Sequence, residues 1–579
     1  MHFNFYFNLM INFSKSICLF LFYFLINTLI AQPELIKNKF RSPLQIPLVL
    51  AGTFGELRSN HFHSGIDIKT KGVEGYPIIA IDDGYISRVK VKPGGYGKAL
   101  YLTHSNGFVS VYAHLRNFHD SIDDYLLNKQ YENRSYSMDL FPLRDDFLFN
   151  QGDTIAWSGN SGSSSGPHLH FEIRDTKTQE IINPLLFGFN TKDTSPPVIK
   201  NLFVYPLDST SNINGKNDTL MIPIQSTDDN SYFLVDQSII VDGPIGFAIE
   251  VYDCFDNAPN KNGVYSLELF IDSGLIYKHD MDRFSFSETR YINSLMDYHA
   301  NKLFGFRPQK SFLDSNNKLS IYKFMKDRGH LFFDVNASHH AIYQVRDLAG
   351  NSSMLEFNFT SDTSLQQVYK SKHGTFFSFG KENSFQKNDF QLRIPKYSLY
   401  NDLYFSYSTE PSSDEFICDI HKIHNEDTPL HLSYSISLDV PITDEELRDK
   451  AVICRLENKE NLSCLSSQWK GGFLTANSNS FGHYAALIDT IPPVIKKKSF
   501  SSDLTTASLM SFEVEDELSG LASYNAFVDG TWVLFEYDQK NKIITHYFDG
   551  YISSGYHNLE IIVKDYVNNE KRLKLQFVR

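Results

Sequence analysis

The sequence predicts a mainly β protein of several domains. Three observations carry that prediction. The chain has 579 residues, too many for one hydrophobic core, and about three to five domains fit that length. Its 32 Tyr and 48 Phe join Val and Ile in short runs that recur along the chain, bounded by Gly, Pro, Asn and Asp. Long stretches with helical periodicity are scarce.

Taken in order, residues 1–31 read as a cleaved secretory signal. Lys15 precedes the apolar run Ile17–Ile26, and Ala31 offers a small residue at the cut. From Ile17 to Ala31 the run is 15 residues, short of the ~20 that a spanning helix needs. The mature protein is therefore expected in the periplasm or cell envelope, or secreted.

Residues 32–192 form the first expected domain. Pro43–Leu48 looks like its first edge strand, and strands at Ile78–Ile81 and Ala99–Leu102 end in the turns Asp82-Asp83-Gly84 and Ser105-Asn106-Gly107. A polar run at about 117–146 interrupts the pattern and reads as an inserted arm or lid.

The next boundaries are marked by a repeat. Asp193-Thr194-Ser195-Pro196-Pro197-Val198-Ile199-Lys200 recurs as Asp489-Thr490-Ile491-Pro492-Pro493-Val494-Ile495-Lys496. A double proline cannot sit inside a central strand, so each copy marks a stiff linker before a first strand. Arg346-Asp347-Leu348-Ala349-Gly350-Asn351 is echoed by Lys564-Asp565-Tyr566-Val567-Asn568-Asn569 late in each unit. Regular short strands predict Ig-like β-sandwiches at 193–362 (with an insertion, or as two units) and 489–579, with another β-rich domain at 363–488 between them. One helix is expected at Asp444–Lys450, with Thr443 as its cap.

The formal charge is -14; removing residues 1–31 takes away one Lys and no acid and moves it to -15. An acidic exported chain is a poor partner for nucleic acid or an anionic lipid surface. Four cysteines follow the signal: Cys254, Cys418, Cys454 and Cys464. Cys454 and Cys464 could close a local hairpin in an oxidising compartment, and buried free thiols are the alternative.

The chemistry-bearing residues lie in the first domain. If His168–Ile173 is extended, the two-residue period puts His168 and His170 on one face and Leu169 and Phe171 on the other. His63 and Asp67 are four apart with Gly65 between, which favours a loop delivering His63 and a strand delivering Asp67. Val111-Tyr112-Ala113-His114-Leu115 adds one more imidazole on a strand. Four histidines and a carboxylate in one β domain have the composition of a catalytic zinc site, which needs three protein ligands and an open position. His61 forms a second HxH with His63 and is either a rival ligand or a solvated loop residue, and His104 is expected to brace the sheet by a hydrogen bond.

His63-Ser64-Gly65-Ile66-Asp67, Tyr112-Ala113-His114-Leu115 and Gly166-Pro167-His168-Leu169-His170-Phe171 resemble, in order, the three signatures of the M23 zinc metallopeptidases, the lysostaphin/LytM-type peptidoglycan endopeptidases. Gly95-Tyr96-Gly97, Gln151-Gly152-Asp153 and Ser158-Gly159-Asn160-Ser161-Gly162 match accessory features. The resemblance covers about residues 46–190, and the run at 117–146 departs from it. It implies an antiparallel LytM-type sheet with one Zn2+ held by His63, Asp67 and His170, flanked by His114 and His168 as catalytic residues. It also implies a zinc endopeptidase that cuts peptide cross-links of bacterial peptidoglycan, with the sandwiches positioning it on the wall or on an envelope partner. Two other functions fit the same layout: a non-catalytic envelope protein that binds wall or activates a hydrolase, and an adhesin built on the sandwiches.

Overall fold

The computed structural model describes Ile36 and residues 40–579, apart from 228–230, 236–237, 257, 364–372, 413–414 and 458–460. The expected signal at 1–31 lies outside the described residues. The fold is mainly β, as predicted.

The first sheet is antiparallel along its main path. In spatial order it runs Leu50–Gly52 (β1), Ile66–Lys69 (β2), His168–Asp175 (β7), Phe108–Phe118 (β5), Lys98–His104 (β4), Gly84–Val91 (β3) and Leu148–Phe149. Thr154–Ser158 (β6) pairs with the end of β5. The centre of β5, Val109–Leu115, is buried throughout because both of its faces are covered. Leu100, Leu102, Tyr112, Leu115, Leu169 and Phe171 join one core, while Ala99, Tyr101, Val109, Val111 and Ala113 form a smaller one opposite. Apolar residues on both faces make a centre strand, and polar ones make an edge.

Two local expectations change. Pro43–Leu48 makes only isolated bridges at Leu44 and Leu48, and the first strand is β1. The polar run at 117–146 contains a 14-residue helix, Asp120–Asn133 (α1), which is packed rather than free. It buries Ile122, Leu126 and Gln130, and His119 caps its start by accepting from the Ser121 N–H. After it, Met138–Leu140 pairs with β3.

Strands between Val198 and Ser361 form one twelve-stranded assembly around a single core that includes Leu202, Phe247, Leu269, Tyr343 and Leu355. Between its strands Gly274–Asp280 and Ala337–Arg346, the chain leaves the sandwich. There Met281, Phe284, Ile292 and Leu295 pack on Phe54, Leu57, Phe62 and Ile181 of the first domain. Next come two five-stranded sheets between Asn383 and Ile488, where a Cys454–Cys464 disulfide joins paired strands. The helix there is a single turn, Glu445–Arg448, capped by Asp444 rather than Thr443 because the Asp444 carboxylate reaches the Glu446 N–H. Two four-stranded sheets then enclose the last core, with Phe512, Val514, Ile561 and Val563 inside.

Candidate metal centre

Strand register assembles the centre. Asp67 of β2 stands opposite His170 of β7, whose other neighbour is Ala113 of β5. Directly opposed residues share a face, so Asp67 and His170 meet without any special turn. His63 arrives on the loop before β2. That loop lies so close to β7 that a Cβ on Gly65 would sit 2.3 Å from the Phe171 carbonyl oxygen, so only glycine fits.

His63, Asp67 and His170 form a buried triad. His63 Nε2 lies 3.0 Å from Asp67 Oδ1 and 3.0 Å from His170 Nδ1, and His170 Nδ1 is 2.9 Å from Asp67 Oδ1. The outer ring nitrogens are both committed as donors: His63 Nδ1–H to the Thr53 carbonyl at 2.7 Å and His170 Nε2–H to Glu172 Oε1 at 2.9 Å. Two imidazole lone pairs and a carboxylate oxygen therefore converge on one point. Lone pairs facing each other at 3.0 Å need a proton or a cation between them, and two nitrogens plus one oxygen suit zinc. The residues present fit a metal ion. Arg58 holds the other Asp67 oxygen at 2.6 Å, which leaves Oδ1 for the triad.

The electrostatics without a metal say the same. Burial opposes charge on His170, yet hydrogen bonds to Asp67 and Glu172 outweigh it and raise the imidazole to about 9. Burial lowers His63, against the pull of Asp67. A metal-free triad takes up the positive charge that its acids demand.

The two remaining histidines flank the triad. His168 Nε2 is 3.4 Å from Asp67 Oδ1, and its Nδ1–H donates to the Gly166 carbonyl at 2.8 Å with Ser164 Oγ at 3.1 Å. His114 Nδ1–H donates to the Ser161 carbonyl at 2.9 Å, and its ring centroid lies 4.8 Å from that of His168. Burial, followed by His170 and His168, lowers the His114 imidazole to about 3. Strict alternation after Ala113 would send His114 to the far face. Instead its φ is +58°, the register of β5 shifts beside it, and its N–H donates to the Tyr96 carbonyl. A non-glycine residue in the left-handed region is costly and is kept where the surroundings demand it. Here the bulge turns the ring into the site.

All five predicted residues thus share one site. His61 does not: it is exposed and its Nδ1–H donates to the Ser59 carbonyl. His104 bonds the Asp83 carbonyl and Ser110 Oγ, as a brace.

The Gly95-Tyr96-Gly97 and Ser158–Gly162 features of the sequence lie at the site as expected, whereas the roles of Glu172 and Lys540 escaped the sequence reading. Glu172 is fully buried and accepts from His170, Ser64, Tyr96 and Arg174. It stands two residues beyond His170 on the same strand face, a signal that was there to find. Tyr96 stacks on His170 with centroids 5.2 Å apart. The Gly94–Gly97 turn and the Ser158–Gly166 loop form the rim, so close together that a Cβ on Gly162 would lie 2.3 Å from the Gly97 nitrogen. Lys540, from the last sandwich, donates to the carbonyls of Asn160 and Ser164 on that loop.

A His-Asp-His triad in an antiparallel sheet, with two flanking imidazoles, is compatible with a bound metal. Residues 61–131 match the model of peptidase family M23, and this chain carries an M23 peptidase domain. Residues 374–489 match the model of a Zu5-like domain. An uncharacterized metalloprotease of Haemophilus influenzae is 30% identical over 155 residues, which are 26% of this chain and 27% of that protein. A protein of Neisseria meningitidis serogroup B named DD-carboxypeptidase/endopeptidase Mpg is 31% identical over 118 residues, 20% of this chain and 21% of that one. The chain thus spans about a quarter of the length of these curated relatives. The catalytic domain of the prophage-encoded M23 protein EnpA from Enterococcus faecalis aligns at 22% identity with 26% of this chain and 100% of its own, at a TM-score of 0.20. The catalytic domain of lysostaphin from Staphylococcus simulans aligns at 22% identity with 24% of this chain and 91% of its own, at a TM-score of 0.19.

Proposed function

We propose that this protein is an exported zinc endopeptidase that hydrolyses peptide cross-links of bacterial peptidoglycan. The observation that carries the reading is the convergence of His63 Nε2, His170 Nδ1 and Asp67 Oδ1 within about 3 Å, beside two further imidazoles. In this reading His63, Asp67 and His170 hold the metal. When bound, zinc supplies Lewis acidity that polarises a carbonyl and acidifies water.

The chain's own groups do the rest. His114 and His168 each have Nδ1–H fixed on a backbone carbonyl, so each keeps a basic Nε2 for the reaction. One such nitrogen takes a proton from the attacking water as its oxygen bonds to the amide carbon. A proton returned to the amide nitrogen lets the C–N bond break and the amine leave. A protonated imidazole beside the developing oxyanion stabilises it.

The name of the Neisseria relative, a DD-carboxypeptidase/endopeptidase, supports a substrate containing D-amino acids. The Cys454–Cys464 disulfide supports an oxidising compartment outside the cytoplasm. Purified protein incubated with peptidoglycan should release peptide fragments, and a chelator should stop the release until zinc is restored. Absence of chelator-sensitive fragments across several pH values and metals would refute the proposal.

A further inference from the structure

The Asp-Thr-x-Pro-Pro repeat brings carboxylates together twice. In the first sandwich, Asp193 precedes the double proline, Asp253 follows the strand Ile245–Tyr252, and Asp347 follows Ala337–Arg346. In the last, the corresponding residues are Asp489, Asp516 just after Leu509–Glu515, and Asp565 at the end of Tyr556–Asp565. Each trio places one oxygen per residue within 4.8 Å of the others. The settings match bond for bond. The N–H two residues on donates to Asp193 and to Asp489 at 3.1 Å. Asn351 Nδ2 and Asn569 Nδ2 donate at 2.7 Å to Asp347 Oδ2 and Asp565 Oδ2. The same two amides reach back to the carbonyls of Asp193 and Asp489.

Buried oxygens without partners mark both places. Asp253 is 2% exposed, and its Oδ1 accepts no hydrogen bond. The groups gathered around it, Asp193 and Asp347, are both acids. In the last sandwich, Ser519 Oγ is likewise buried without a partner, and the Ser519 N–H donates to Asp489. A buried carboxylate oxygen facing two other carboxylates is unfavourable unless something positive joins them. Both trios also sit at joints. Asp193, Asp253 and Asp347 line a cleft of about 460 Å³ together with Thr53, Phe54 and Asn183 of the peptidase domain. Asp489 lies at the joint with the preceding unit, where Val567 and Leu518 pack on Val452, Cys454 and Leu487 and Lys450 Nζ donates to the Val567 carbonyl.

We propose that each aspartate trio binds a calcium ion that fixes the joint between a sandwich and the unit before it. The donors are all carboxylate oxygens, which select a hard cation over zinc. They come from a linker and two separate loops, an adaptable set that suits calcium better than the strict octahedron of magnesium. The ion replaces repulsion among three acids with attraction and ties the linker aspartate to loops of the following sandwich. None of the six aspartates belongs to the His63–Asp67–His170 triad.

Isothermal titration of the chelator-treated, desalted full chain with CaCl2 tests the proposal. Two binding events per chain are expected, with the melting temperature rising by several degrees. Asp253→Asn should abolish one event and Asp516→Asn the other, and the double variant should show neither. Asparagine keeps the shape and relieves repulsion, so these variants should fold. If circular dichroism shows that Asp253→Asn does not, Asp193→Asn at its part-buried position tests the same site. Absence of both heat and a melting shift at up to ~10 mM calcium, about tenfold above the weak end for extracellular sites, would overturn the proposal. Binding that persists in the double variant would overturn it too.

Discussion

Glu172→Gln is the sharpest test of how the centre is held. Glu172 has no exposed surface, and its Oε1 receives the His170 Nε2–H at 2.9 Å, which commits Nδ1 to the triad. Glutamine keeps the volume but removes the charge, and its amide can present N–H instead of oxygen to the ring. Loss of such a partner behind a metal-bound histidine lowers affinity by about 10- to 100-fold, or about 1.4–2.7 kcal/mol. There is a second cost. Arg174 donates Nε–H to Glu172 Oε2 at 2.7 Å and lies buried against Tyr101 and Phe286. Removing one member of a buried pair costs about 3–5 kcal/mol, which should appear as a lower melting temperature of the metal-free protein. Competition against a chromophoric chelator reads the zinc affinity, and calorimetry of the metal-free protein reads the fold. Zinc affinity within twofold of the native protein, in a folded variant, would refute the assignment of Glu172 as the group that orients His170.

Three more outcomes follow from the geometry. His170→Ala should lose bound zinc, whereas His168→Ala should keep it and lose turnover by about 10²- to 10⁴-fold, measured as zinc per chain and peptide released. Lys540→Met should lower turnover while leaving bound zinc unchanged, because it frees the Asn160–Ser164 rim without touching the triad; unchanged turnover would show that the rim holds itself. Burial, partly offset by the Phe118 N–H and by Lys98, raises Asp123 to about 6 from an ordinary 3.8. A carboxyl raised on folding stabilises below its unfolded value and loses that contribution as pH climbs through its folded one. The native melting temperature should therefore fall relative to Asp123→Asn between about pH 4 and pH 7, and parallel pH curves would contradict this.

The site was legible where its logic is local. The two-residue period alone puts His168 and His170 on one face, and the structure keeps Leu169 and Phe171 fully buried on the other. The Gly65 loop and the Ile66–Lys69 strand follow from residue types. What stayed hidden depends on contacts between distant segments. His114 reaches the site only through a left-handed residue and a bulge, which no periodicity announces. The packing of α1 could not be read from its polar composition, because three buried positions out of 14 are too few to stand out. Asp444 displaces Thr443 as a cap by one residue, within the ambiguity of any polar pair before a helix. The Asp-Thr-x-Pro-Pro repeat was visible as a boundary, but the meeting of its aspartates with loops 27 to 154 residues away was not.

The last sandwich also changes what the rest of the chain is for. Its Glu536 pairs with Lys98 at 3.0 Å, Tyr551 stacks on Tyr131 of α1 at 3.7 Å, and Asp549 accepts from the Tyr131 hydroxyl. Between them lies a cleft of about 990 Å³, walled on one side by Lys90, Lys92–Gly97 and Arg134–Ser137 and on the other by Leu521, Tyr524, Tyr537 and Gln539. It runs to Tyr96, the ring stacked on His170. A chain approaching the triad along this cleft would touch both domains, so the sandwich can act on substrate binding without any group near the metal. Tyr537→Ala should then raise KM while zinc content and kcat stay near native, because the ring lines the cleft but contacts no residue of the triad. An equal fall in kcat with KM unchanged would place the effect on the rim loop instead, and an unchanged KM and kcat would mean that substrate enters from the opposite side of the groove.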